Sequence, residues 1–471
     1  MDNRIIINNF QKGVNPNPSA GFEAIVNCDI NTNLGTIYPN FTPSKESGTN
    51  FTELVVAMAG NYALDENGTI ATFDGDVIPD RPSNYDKGLA WWKGYLFHIG
   101  YSHINTWKDG VGWADDWDGD SKEGSSVGFS YVAMNDKLYI ASGRFLYSLE
   151  EVAGKTFDPT DNTTFTAITK ALDLPDGYVI KAISEVGEYL AILANKGANG
   201  ALFLWDKHSV SFDTPILFNE RGNQIIAYNG LLYLNMGYQC SFYISNGSSV
   251  AGPYKFPLSS LENTINNLLD FNLTFRPNAI DIIRDKIFFG LEADSYDMPQ
   301  GIYSFDPKTK IFQCENIIST KTVTRVKIGV IKKIDTSSPY SYRYGFSDET
   351  SGANAFGVDK VAATARVSNY KAYFITQFYN VGTKLQPRTF QKIQFKFRKP
   401  ANGGEYNVRI ACRKDRKYNT WTTINTTELN DTNLIVDYEI PFTVTAPSIQ
   451  FKVSFDGNSD TVAELQEIII I

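Results

Sequence analysis

Histidine is almost missing from this 471-residue sequence: His98, His103 and His208 are all it holds. A histidine-based metal or general-base centre has little to draw on. His98 and His103 lie close in sequence without a third ligand nearby, and they read as packed or solvent-facing side chains. Cysteine is equally sparse. Cys28, Cys240, Cys314 and Cys412 are far apart, with no CxxC or Cys/His spacing, which points to thiols packed as small apolar groups and not to zinc. No run approaches ~18–20 apolar residues, so no membrane insertion is expected. The opening MDNRIIINNFQKG is too short in apolar residues and too polar for a signal peptide. Lys and Arg are dispersed in a chain of net charge −9, so no basic groove for sequence-specific nucleic-acid binding is expected. The local run Arg409, Arg413, Lys414, Arg416, Lys417 alternates with apolar residues and reads as the solvated face of a strand and its turn. Ala/Glu/Lys/Leu-rich stretches long enough for extended helices are also missing.

What is abundant is aromatic and turn-forming: 26 Tyr, 31 Phe and 36 Gly. That mixture suits half-buried strands joined by tight turns, and the fold class is all-β. Between about residues 54 and 350 a two-part unit recurs. A turn pair precedes an apolar strand at Lys93-Gly94, Asn135-Asp136, Gly187-Glu188, Asn229-Gly230 and Arg284-Asp285. A short aromatic strand closed by a polar turn follows, as in Leu202–Asp206, Phe242–Gly247 and Ile302–Pro307. The repeat length matches one four-stranded blade per unit, against ~40–50 residues for propeller repeats. The expectation is a six- or seven-bladed β-propeller over residues 51–374; an array of β-sandwiches is the structural alternative.

The ends differ. Residues 1–50, punctuated by Gly13, Pro16, Pro18, Gly21, Pro39 and Pro43, read as an extended arm without regular elements, lying across the chain's own surface or a neighbouring subunit. Residues 375–471 alternate apolar and polar and read as a C-terminal β-sandwich, with Glu467–Ile471 as a buried closing strand.

Candidate chemistry is thin. Asp116, Asp118 and Asp120 resemble the start of a calcium loop, but Ser121 stands where that loop wants Gly, so they make a weak calcium candidate beside the plainer reading of a solvated loop. Trp107, Trp113 and Trp117 are candidate ligand or partner contacts, able to stack on sugar rings or to cover a blade. Ser454-Phe455-Asp456-Gly457 begins like the Ser-x-Asp-x-Gly-x-x-Trp box of propeller glycosidases, with its glycine one place early and no Trp after it. No nucleophile elbow, P-loop or His-Glu-x-x-His occurs. No catalytic residue and no cofactor is expected.

Three segments together resemble a family of tailed-bacteriophage virion proteins, of the tail-nozzle or neck-tail kind. The first is Asn9–Asn15 with Ala24–Ile30 and Gly35; the second is the irregular propeller; the third is Phe374–Gly382, leading into Lys392–Phe395, Arg409, Asp415 and Trp421. The resemblance implies a non-enzymatic structural role in the virion, assembled in the host cytoplasm. It also implies other neck or tail proteins as partners and a homo-oligomeric ring of roughly six or twelve copies. An acidic surface would let DNA pass without sticking. The alternatives are a receptor- or glycan-binding protein, or a propeller-type glycosidase.

Overall fold

The computed structural model describes residues 5–7, 22–26, 28–30, 37–47, 51–73, 76–78, 88–99, 104–114, 130–134, 136–158, 164–165, 169–256, 273–293, 300–316, 326–334, 341–349, 355–366, 372–380, 386–398, 406–414, 421–429, 437–457 and 464–471. Among the described residues every regular element is a strand.

Among the described residues, seven antiparallel sheets follow one another along the chain and form a seven-bladed β-propeller. Blade 1 holds Val55–Ala59, Tyr62–Asp65 and Ile70–Thr72. Blade 2 runs from Gly88–Trp92 to Gly112–Ala114, blade 3 from Tyr131–Met134 to Thr169–Asp173, and blade 4 from Val179–Val186 to Ile216–Phe218. Blade 5 runs from Gly222–Tyr228 to Val250–Lys255 and blade 6 from Ile280–Ile283 to Phe312–Asn316. Blade 7 contains Val326–Lys333, Tyr342–Asp348 and Ala355–Arg366. The first strand of each blade neighbours the first strand of the next, and that of blade 7 returns to blade 1, closing the ring.

The five turns seen in the repeat are the hairpins between first and second strands of blades 2 to 6. Each needs a positive backbone angle, supplied at Gly94 (φ 82°), Asp136 (61°), Gly187 (57°), Gly230 (74°) and Asp285 (58°). The polar turns after the third strands are Asx turns. The Asp206 carboxylate accepts from the N–H groups of His208 and Ser209, Asn246 from Ser248 and Ser249, and Asp306 from Lys308 and Thr309. Each blade lies between two others, so both faces are covered. Strands such as Tyr95–Ile99 and Lys286–Ala293 are therefore buried along their whole length instead of alternating. One apolar cluster fills each of the seven blade–blade interfaces, from Ala57, Leu64, Leu89 and Leu96 between blades 1 and 2 round to Val55, Ala63, Val330 and Val358 between blades 7 and 1. Between blades 5 and 6, Phe242 stacks on Phe305 at 4.8 Å.

Residues 1–50 differ from the arm expected of them, because they supply strands to three larger sheets and pair Cys28–Asp29 with Tyr38–Pro39 in a small one. Phe41–Ser47 is the outer strand of blade 7, paired with Ala355–Arg366, so the last blade is completed from the chain's beginning. Ile5–Ile7 pairs with Glu464–Ile470. Phe22–Val26 lies between blade 6 and the C-terminal sheets, parallel to Phe312–Asn316 and antiparallel to Ala372–Thr376. Pro43 is tolerated because an outer strand needs ladder hydrogen bonds on one side only.

The C-terminal region forms two sheets. One holds Ile5–Ile7, Glu464–Ile470, Arg388–Arg398 and Asp437–Ala446; the other holds Ala372–Thr376, Ser448–Gly457, Tyr406–Arg413 and Thr422–Leu429. Both contribute to one apolar cluster, which includes Ile7, Phe22, Ile25, Phe374, Phe390, Phe451, Phe455 and Ile470. The closing strand is central in its sheet, with Leu465, Ile468 and Ile470 buried.

Candidate functional site

A ring of inner strands has a hydrogen-bonding problem: one edge of each faces the axis with no strand beside it. Side chains of neighbouring blades answer it. The Ser130 hydroxyl, at the start of blade 3, accepts from the Ile183 N–H of blade 4 at 3.0 Å. The Ser184 hydroxyl of blade 4 accepts from the Ala227 N–H of blade 5 at 3.0 Å. Gln224 donates to the Ala279 carbonyl of blade 6 at 2.9 Å. The Asp281 carboxylate of blade 6 accepts from the Lys333 N–H of blade 7 at 2.7 Å and from its neighbour Ile282 at 2.7 Å. The Asn278 amide donates to the Val56 carbonyl of blade 1 at 3.1 Å.

Ser130, Ser184, Asn278 and Asp281 are among the residues lining a cavity of about 190 Å³ on the axis, reached by residues of all seven blades. Two charged groups line it, Asp281 and Lys332. Burial raises the Asp281 carboxyl above its ordinary range, opposed by Lys332 and by the backbone N–H groups it accepts. Tyr131, across the ring, is the chief influence raising Lys332; burial acts the other way, and Asp281 adds to the rise.

A second polar centre fixes the chain's beginning. Glu315 is fully buried on blade 6 and receives Arg284 at 3.0 Å, Lys286 at 3.1 Å, Ser304 at 2.6 Å and the Asn40 amide at 3.0 Å. Next to it, Asn316 donates to the Phe41 carbonyl at 2.9 Å. On the outer edge of blade 7, Glu46 pairs with Arg343 and with Lys360, the latter at 3.3 Å. Burial works to raise the Glu46 carboxyl, but Arg343 and Lys360 together outweigh it and hold it below the usual range.

Of the three tryptophans expected to contact a ligand or partner, Trp107 and Trp113 face each other across neighbouring strands of blade 2, with ring centroids 6.5 Å apart. Both are half-buried against the cluster between blades 1 and 2, and Tyr62 meets Trp107 edge-on at 5.2 Å. Trp117 and the calcium candidates Asp116, Asp118 and Asp120 lie outside the described residues, as does His103. His98 is buried with its ring 6.0 Å from Trp113, and His208 is exposed on the turn capped by Asp206. Among the described residues no three His, Cys, Asp or Glu side chains gather as a metal site. All four cysteines are buried.

The basic run is not uniformly solvated. Arg409 and Lys414 are exposed, but Arg413 is 4% exposed and lies over Trp421 at 4.8 Å and Phe378 at 5.2 Å, with its Nε donating to Gln450. Aromatic faces on adjoining segments take a planar cation out of water, a pairing that no local spacing announces. Arg416 and Lys417 lie outside the described residues. Sequence reasoning also missed Ser130, Ser184 and Asp281, whose partners are about 50 residues away, one blade on, and Lys332.

No family model matches the chain, and no curated protein matches it. Among solved structures it is similar to the Dos1 propeller, with 10% identity over 68% of this chain and 95% of that one and a TM-score of 0.42. The β-propeller domain of Myceliophteria thermophila Cps50 (Swd1) gives 10% identity, 68% and 99% coverage and a TM-score of 0.43. A catalytically inactive virginiamycin B lyase from Staphylococcus aureus gives 10% identity, 69% and 100% coverage and 0.41.

Proposed function

We propose that the chain is a non-enzymatic structural subunit of a tailed-phage virion, placed in the neck or tail and assembling into a nozzle- or ring-like homo-oligomer. The observation that supports this most is where the fold puts the segments carrying the resemblance. Residues 24–26 lie antiparallel to residues 373–375, with Ala24 opposite Ile375, Ile25 opposite Phe374 and Val26 opposite Tyr373. On its other edge the same strand meets blade 6, Val26 opposite Cys314. Among the described residues one strand thus joins blade 6 and one of the two C-terminal sheets into a continuous eleven-stranded sheet. Load on one part passes to the other through backbone hydrogen bonds, which suits a mechanical part. In this reading the two C-terminal sheets are the expected β-sandwich.

Subunit contacts fit the rim of blade 4. Leu217, on the outer strand of that blade, is 67% exposed, an apolar side chain presented at the rim. Packing that rim against a different surface of the next copy gives a heterologous contact that closes into a ring. The axial cavity of a single propeller is far too small for duplex DNA, so any DNA path runs through the centre of the subunit ring. A receptor- or glycan-binding role is the second reading, favoured by Trp91, which is 43% exposed and stacked on Tyr62 at 6.1 Å.

The test is location. An antibody against the chain should label the neck or tail of intact particles, and the chain should appear in purified virions at a fixed ratio to tail proteins. Its absence from purified virions would contradict the reading.

A further inference from the structure

The axial cavity carries an inference that stands independently of any virion role. We propose that it binds a small oxyanion, the size of phosphate or a short dicarboxylate, held by the Lys332 ammonium with the hydroxyl groups of Tyr131, Ser130 and Ser184.

The argument is an inventory of donors and acceptors. Several acceptors at the cavity are already engaged by inner-strand N–H groups: Ser130 by Ile183, Ser184 by Ala227, and each Asp281 oxygen by one N–H, from Ile282 and Lys333. A hydroxyl that accepts a hydrogen bond still has its proton to give. Beside these acceptors the lining offers donors from four residues, the two serine hydroxyls, the Tyr131 phenol and the Lys332 ammonium, a set that an acceptor-rich ligand can satisfy. Lys332 is exposed to the space of the cavity while lying deep in the ring, so its charge is screened less than at the outer surface. The Asp281 carboxyl shares the cavity, and the two N–H groups it accepts temper its repulsion of the anion without removing it. The volume, about 190 Å³, equals about six waters at ~30 Å³ each, enough for phosphate or succinate with part of its hydration.

The experiment is calorimetric titration of the full chain with sodium phosphate and, separately, sodium succinate, at ionic strength held constant with sodium chloride. Saturable binding of either is expected, and which one binds identifies the oxyanion class. Lys332→Met should weaken it about tenfold or more, and Tyr131→Phe, which keeps the ring and its packing, several-fold. Lys255→Met, exposed on the outer strand of blade 5, should bind as the unaltered chain does. No saturable binding of either anion overturns the proposal. So does binding that survives both Lys332→Met and Tyr131→Phe, or that falls equally with Lys255→Met.

Discussion

The Val55 carbonyl stands against the α-carbon of Gly329, so close that a Cβ on Gly329 would overlap it; Gly345, on the next strand of blade 7, meets the same carbonyl. This is the seam where blade 7 meets blade 1. Two glycines let the backbones approach there, and no side chain can be added to either without moving the first strand of the ring.

Gly329→Ala should therefore cost about 3 kcal/mol or more, since the obstructing atom is backbone and cannot rotate away. Gly187→Ala is the contrast: its turn has open space but a positive φ of 57°, so only about 1–2 kcal/mol of backbone strain is expected. Urea unfolding of the two variants checks the order.

The outer strand of blade 7 should loosen with acid. Glu46 is held below its ordinary value of 4.5 by Arg343 and Lys360 against the opposing effect of burial. Its contribution is present in full above the unfolded value and fades as pH falls through the lower folded value. Glu46→Gln should thus lower stability by about 1 kcal/mol near neutral pH, and the difference should vanish well below pH 4.5. Melting curves of both proteins across that window measure it.

How much of this was legible in sequence depends on how local the signal is. Gly94, Asp136, Gly187, Gly230 and Asp285 announce themselves because a tight hairpin demands a positive backbone angle, and the aromatic strands after them mark the repeat. Phe41–Ser47 hid behind Pro39 and Pro43, which argue against a central strand but not against an outer one. Ser130, Ser184 and Asp281 gave no sign of fastening blades, because a lone polar residue in an apolar strand looks the same whether its partner is water or the next blade. Arg413 was masked by the charges around it.

Glu315 should be intolerant of neutralisation. Glu315→Gln removes the buried carboxylate that Arg284 and Lys286 share, and a loss of about 3–5 kcal/mol is expected, read from denaturant unfolding. Arg284, Lys286 and Glu315 replaced together by apolar residues of similar size should recover much of that loss.

Removing residues 1–36 should separate the two halves of the molecule. It deletes Ile5–Ile7 and Phe22–Val26, which carry Ile5, Ile7, Phe22 and Ile25 into the C-terminal cluster, but keeps Phe41–Ser47 on blade 7. Limited proteolysis should then cut first in the C-terminal sheets and leave a protected propeller. A truncation extending through residue 50 should expose both.

The most direct test of the proposed assembly role is the mass of the purified chain in solution, with negative-stain images of the same sample, alone and after adding neck and tail proteins of the phage proposed as its source. Closed rings of roughly six or twelve copies, lost on Leu217→Glu at the blade 4 rim, are the predicted result. A monomer at every concentration that takes up none of those proteins would contradict the account.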